Sequence, residues 1–224
     1  MTTAPEDFLS ALRNPGSAPP AWLGRLATAL HEELPTDTRD DWAARLHTLL
    51  GAGPDTGTLR AVHIWHADTV LPLLGEDPVF AELGALHRDA AHSKVADQDT
   101  WRTALTPVLL HLYDAAYDRT SAYAEAHTTA RDYALANGFS ATEADTYGHE
   151  YARLSSDANA PACAEAHAEA VGPALARAYA SDGCEAYADT YPGAQLRAVA
   201  RALGVVSVTR LAEGFLSALE ACRP

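Results

Sequence analysis

Across 224 residues the chain carries 30 acidic against 16 basic side chains, a net charge of −14, and 15 of the 16 basic residues are arginine. That balance excludes nucleic-acid and anionic-membrane binding as leading readings, because phosphate recognition needs clustered Lys/Arg. Alanine supplies 48 residues, and the 59 bulkier apolar side chains, 27 of them leucine, are enough for one core in a chain whose length buries roughly 70% of its unfolded surface.

Breakers and caps divide the chain into helices. Pro5–Arg13 reads as a short first helix before a Pro/Gly/Ser linker to Pro20. Trp22, Leu23, Leu26, Leu30 and Leu34 repeat at helical spacing until Pro35 stops them. Thr36 or Asp37 is the expected N-cap of a helix with Trp42, Leu46, Leu49 and Leu50 on one face, closed by Gly51-Ala-Gly-Pro54. Leu59–Leu74 follows, with a disturbance expected near Pro72, and Asp77-Pro78 opens a helix to about His92. The segment from Asp99 to Asn137 is expected to be one long helix, with Pro107 either in its first turns or kinking it and Gly138 as its cap. Ser140-Ala-Thr-Glu143 is a capping box for a helix to about Leu154. Pro161–Tyr179, Ala194–Leu203 and Val208–Cys222 complete the series. The one β-branched cluster, Val205-Val206-Ser207-Val208, is too short to build a sheet. The expectation is all-α: a single domain over 1–224, a bundle of about nine or ten helices with one long central helix.

The start MTTAPEDFL has neither a basic n-region nor an apolar h-region, so no signal peptide is expected. Apolar runs such as Val108–Leu112 fall far short of a membrane span. Three cysteines without CxxC spacing (Cys163, Cys184, Cys222) point to a reducing cytoplasm rather than a disulfide scaffold.

Composition shifts midway, with residues 1–100 rich in Leu and Trp and 101–224 in Ala, Tyr and His. The second half is expected to pack alanine faces at short interaxial distance, with tyrosine rings filling what remains and their hydroxyls partnered. A weak repeat relates Ala122-Tyr-Ala-Glu-Ala-His127 to Ala162-Cys-Ala-Glu-Ala-His167, and over 15 positions the two segments share nine identities, six of them alanine.

Tyr113-Asp-Ala-Ala-Tyr117, Tyr133-Ala-Leu-Ala-Asn-Gly-Phe139, Asp157-Ala-Asn-Ala-Pro161, Ala186-Tyr-Ala-Asp-Thr-Tyr-Pro192 and Arg210-Leu-Ala-Glu-Gly-Phe-Leu-Ser-Ala-Leu219 form an ordered series. From about Trp101 to the C-terminus this series resembles an uncharacterised Ala/Tyr-rich helical family from actinobacterial natural-product gene clusters of the spectinomycin type. The resemblance implies a setting in specialised metabolism and no mechanism. The chain is poorer than that family in Ala-Asn alternation.

Ten histidines are the main chemical signal. On a wheel begun at Leu105, an apolar face runs through Leu109, Leu112, Ala116, Tyr123, Ala130 and Ala134. His111, Asp114 and Asp118 share the opposite side at i, i+3 and i+7, which is either a solvated face or a metal site. His127 falls on the alanine face one turn after Tyr123, and His167 sits equivalently after Cys163. A buried imidazole must be hydrogen-bonded, so both are expected to be satisfied core histidines or to line a polar pocket. In such a pocket His127 and His167 would be base and partner, with Tyr123 and Tyr147 as donors.

His63 and His66, at i, i+3 before Asp68, make a metal pair without the spacing of a third ligand. His87 and His92 read as polar, near a helix end. Gly148-His-Glu-Tyr151 lacks the second histidine of HExxH, and no GxSxG, GxGxxG or GxxxxGK[ST] occurs. Cys163 four residues before His167 reads as packing before it reads as a nucleophile, and Asp40-Asp41 lacks an aspartate-rich setting. The leading expectation is a cytoplasmic small-molecule-binding protein taking a neutral or cationic intermediate, with a cofactor-free acid–base step such as cyclisation or isomerisation. The alternatives are a non-catalytic helical accessory partner or homo-oligomer, and a His-rich protein holding a divalent metal.

Overall fold

The computed structural model describes residues 19–204 and 206–223; the expected helix Pro5–Arg13 lies outside them. Among the described residues there are ten helices and no strand. They are α1 (Ala21–Glu33), α2 (Arg39–Gly51), α3 (Arg60–Trp65, a π-helical turn His66–Val70, then Leu71–Leu74), α4 (Pro78–Ala91), α5 (Gln98–Ala116), α6 (Arg119–Ala136), α7 (Ala141–Ala180), α8 (Cys184–Ala188), α9 (Pro192–Leu203) and α10 (Val206–Glu220). None is long and apolar enough to cross a membrane.

The early helices follow the apolar spacing. In α1, Trp22, Leu23, Leu26 and Leu30 are buried. The α2 cap is Thr38, later than Thr36 or Asp37, and Thr38 makes no side-chain cap bond. Asp77 caps α4 by accepting from the Val79 amide, and Pro78 occupies the first turn. Pro72 has no amide to donate to the Asp68 carbonyl, and the turn preceding it widens to π geometry. α10 crosses that bulge at Gly214, where an added Cβ would lie 2.2 Å from Thr69 Oγ1.

The expected single helix over 99–137 is broken. Tyr117 turns extended, and Asp118 starts a new helix by accepting from the Ser121 amide and hydroxyl. Arg119 seals the junction by donating to both the carboxylate and the carbonyl of Asp114. Conversely, the two helices expected over 140–154 and 161–179 are one helix of 40 residues, so the long central helix is α7. Pro161 and Pro173 sit inside α7 and Pro107 inside α5, all three on the exposed side. On that side solvent can reach the carbonyls they leave unbonded, and the helix runs on.

α6 and α5 pack in succession along α7, forming a long antiparallel hairpin. Its seam on α7 is a four-residue ladder of buried small side chains: Ala144, Gly148, Ala152, Ser156, Ala160, Ala164, Ala168, Gly172 and Ala176. The main core wraps the base of the hairpin and takes in α7 only from Ala168 onward. Trp42 and Trp65 lock α10 by donating from Nε1 to the Ala212 and Leu211 carbonyls at 3.0 and 2.9 Å. The tyrosines do not all fill gaps between alanine helices. Tyr179 and Tyr187 are core residues, whereas Tyr133, Tyr147, Tyr151 and Tyr191 are exposed.

Candidate functional site

At the base of the hairpin, the C-terminal end of α5, the break at Tyr117-Asp118, the middle of α7 and the outer side of α9 enclose an open cleft of about 520 Å³. This is within the size range of small-molecule sites. His167 lines it from α7, with its ring 4.7 Å from that of Tyr113. His167 Nδ1 lies 2.8 Å from the Cys163 carbonyl. A carbonyl only accepts, so Nδ1 is the donor and Nε2 is the basic nitrogen. Burial pushes the Tyr113 phenol above its usual range, so it stays protonated at neutral pH. Cys163 Sγ is 3.5 Å from the same Nδ1. A nitrogen that already carries a proton cannot take the thiol's, which argues against Cys163 as an activated nucleophile.

Two arginines line the far wall. Arg197 is paired with Glu32. Arg201 helps hold the Asp118 carboxyl below its usual range, after the bonds Asp118 accepts from Ser121. Tyr191 stands at the rim in the left-handed region (φ 56°), although it is not glycine and precedes Pro192. That is a strained conformation. The Arg25 guanidinium lies 5.8 Å from its ring centroid and also donates to the Ala188 carbonyl.

Behind this wall lies a smaller apolar chamber of about 50 Å³, sharing Gln195 with the cleft. It is lined by His66 and His87, two members of a cluster of three imidazoles completed by His63. His63 and His87 are buried, their Nδ1 atoms 2.9 Å apart, so one donates to the other. His66, in the π turn, stacks on His87 at 4.8 Å. Trp101 and Tyr179 cover the group. Desolvation lowers His63 to about 4 and His66 to about 3, and drives His87 well below its usual value. All three are therefore neutral at pH 7. His87 corrects the reading of a polar helix-end residue: it continues the buried face Phe80, Leu83, His87 of α4, a spacing visible in the sequence. His63 and His66 gain His87 as a neighbour, but stacking of one ring and a direct hydrogen bond between the other two do not aim three nitrogens at one point. At roughly 10–15 Å³ per water, the chamber of about 50 Å³ has room for about three to five waters, too few for a metabolite.

The other candidates are dispersed. His127 and His167 do not share a pocket. His127 faces the outer part of α7 near His149, which is 18 positions from His167, or ~27 Å along the helix. Tyr123 Oη bonds His149 Nδ1 at 2.8 Å. Tyr147 stacks between Phe139 and Tyr151 on the outer surface. The expected face of His111, Asp114 and Asp118 does not exist, because the helix breaks after Tyr117. Asp114 is taken by Arg119, Asp118 is a cap, and the His111 ring meets Phe80 edge-on at 5.1 Å. The two copies of the weak repeat are both helical but meet different surroundings.

No family model, no curated protein and no solved structure matches this chain.

Proposed function

We propose that the chain binds a small, ring-bearing metabolite in the cleft at the base of the hairpin and carries out a cofactor-free acid–base step on it, such as a cyclisation or isomerisation. The observation that carries this reading is His167: its Nδ1–H is tied to the Cys163 carbonyl, leaving Nε2 as a base in a cleft of about 520 Å³. Tyr113, kept protonated beside it, is the donor. Tyr117 and Tyr191 add ring surface for stacking. Arg197 is occupied by Glu32 and Arg201 stands near Asp118, which favours a neutral ligand over an anionic one. The setting in specialised metabolism rests on the ordered Ala/Tyr series.

Native mass spectrometry of the untagged chain, gently purified from its producing cells, is the test. We expect one small molecule per chain, lost in Ala194→Trp, which fills the cleft from an exposed position on α9. His167→Ala is expected to retain the molecule but to lose its turnover by ~100-fold or more, as befits removal of a general base. A bare wild-type mass, or a ligand that Ala194→Trp retains, overturns the reading.

A further inference from the structure

The outer part of the hairpin carries a second constellation, which the proposed reaction does not use. His127 on α6 and Asp145 and His149 on α7 bring one ligand atom each to within 4.8 Å of one another. His127 Nε2 stands 3.4 Å from Asp145 Oδ1, and His149 Nε2 stands 3.6 Å from Asp145 Oδ2. These are not hydrogen bonds between imidazole and carboxylate, which close to about 2.7–2.9 Å; His127 Nε2 is buried and has no hydrogen-bond partner. They come nearer another geometry, that of ligands 2.0–2.1 Å from a tetrahedral ion, which lie about 3.3–3.4 Å apart, with each histidine facing a different oxygen of Asp145.

We propose that His127, Asp145 and His149 form a binding site for a divalent transition-metal ion of the zinc type, with its remaining coordination position open to water. Two imidazoles and one carboxylate favour such an ion over calcium or magnesium, which prefer oxygen ligands. The surroundings fit the assignment. Tyr123 Oη sits 2.8 Å from His149 Nδ1; with Nδ1–H donating to the phenol oxygen, Nε2 is the ligand nitrogen and the ring is held in place. Asp145 and His149 lie at i, i+4, on one side of α7. Gly148 lets the two helices close, since a Cβ there would lie 3.0 Å from both Cδ2 and the carbonyl oxygen of His127. One group opposes the ion: Arg131 Nε is 3.7 Å from Asp145 Oδ1 and would have to turn toward Asp132, 3.9 Å from its Nη1.

The full chain, stripped with a chelator, is titrated with Co²⁺ and then with Zn²⁺ while the visible Co²⁺ spectrum and the heat of binding are followed. We expect one equivalent to bind, with the intense absorption of a four-coordinate ion that Zn²⁺ then bleaches. Tyr123→Phe should weaken binding by 10–100-fold, the usual effect of losing an outer-shell partner. His149→Ala should weaken it further, and its exposed position keeps the fold intact. Arg131→Gln should tighten it, a change that mere structural support would not produce. Stoichiometric binding that persists unchanged in both His127→Ala and His149→Ala overturns the proposal, as does a wild-type dissociation constant weaker than ~1 mM.

Discussion

Packing His63, His66 and His87 together against Trp101 and Tyr179 is tolerable only while all three imidazoles stay neutral, and this ties stability to pH. Desolvation holds their folded-state pKa values below the unfolded value of about 6.5. The unfolded chain therefore binds more protons than the folded one as pH falls through 6.5. Stability is full above that value and declines below it, down to about 4 for His63 and about 3 for His66. Between pH 7 and 5 the caps Asp97, Asp118 and Glu143 remain ionised, since hydrogen bonding holds each below its normal range. A fall in urea midpoint over that interval consequently reports histidine. Replacing His87 alone by leucine strands His63 Nδ1 in the core and should cost about 1–3 kcal/mol at pH 7.5. The paired change His63→Leu/His87→Leu removes donor and acceptor together. It should cost less than the single change and flatten the dependence between pH 7 and 5. Urea melts at pH 7.5 and 5 decide it, and a double variant with an undiminished slope would refute the assignment.

At the scale of elements, α10 approaches the π turn of α3 closely where Thr69 faces Gly214. Gly214→Ala should gain helix propensity of up to ~1 kcal/mol yet lose more to overlap with a short branched side chain that cannot swing clear, a net loss of about 1–3 kcal/mol. Removing the obstacle, including the Thr69 Cβ that would lie 2.8 Å from the new methyl, reverses the sign: Thr69→Gly/Gly214→Ala should be at least as stable as Thr69→Gly. Thermal melts of the four proteins close the cycle, and additive effects would disprove the contact. Such pairings across the fold are invisible in one sequence, whereas local chemistry was legible there. The Asp77-Pro78 cap, the Ser140/Glu143 box and the stop at Pro35 are all present. The misreadings came from weighing one signal over another. Asp118-x-x-Ser121 is a cap motif that the unbroken apolar face from Leu105 to Ala134 concealed. Pro161 looked like a break because its exposure, which decides whether the lost bond is made good by water, depends on the tertiary fold. The site divides the same way. His167 was readable as a pocket residue, and so were His127 and Tyr123 as neighbours. Asp145 and His149 stood at i, i+4, but His149 drew attention only in a failed protease motif and Asp145 drew none, and the Arg197 and Arg201 wall comes from a helix some thirty residues away in sequence.

For the whole molecule, the division between a bulky core and an alanine seam predicts two levels of stability. Hydrophobic stabilisation scales with apolar area, and a buried leucine or tryptophan removes several times the area of an alanine methyl. The main core engages α7 only from Ala168 on. From Ala144 to Ala164 the buried side chains of α7 are alanine, glycine and serine, and α6 buries only Ala130 and Ala134. About 27 residues of α7, roughly 40 Å of helix, are held by thin contacts, by end caps and by the ion-pair cluster around Asp145. This part should open without unfolding the rest, at a free energy below that of global unfolding. Hydrogen exchange read by mass spectrometry should show peptides within 119–160 exchanging at least ~10-fold faster than those covering α3 and α10, where Trp65 meets Phe215 edge-on and donates to the Leu211 carbonyl. Zn²⁺ bound at His127, Asp145 and His149 joins α6 to α7 in the closed form only, so it should slow exchange in this segment and leave the core unchanged. The cleft lies at the boundary between the two regions. Its α9 wall belongs to the core, while Tyr117 and Asp118 belong to the junction where the thin part begins. A ligand seated there should therefore protect the α5–α6 junction, and a metal ion the outer half of the hairpin. Uniform protection along α7 in the metal-free chain would contradict the two-level description.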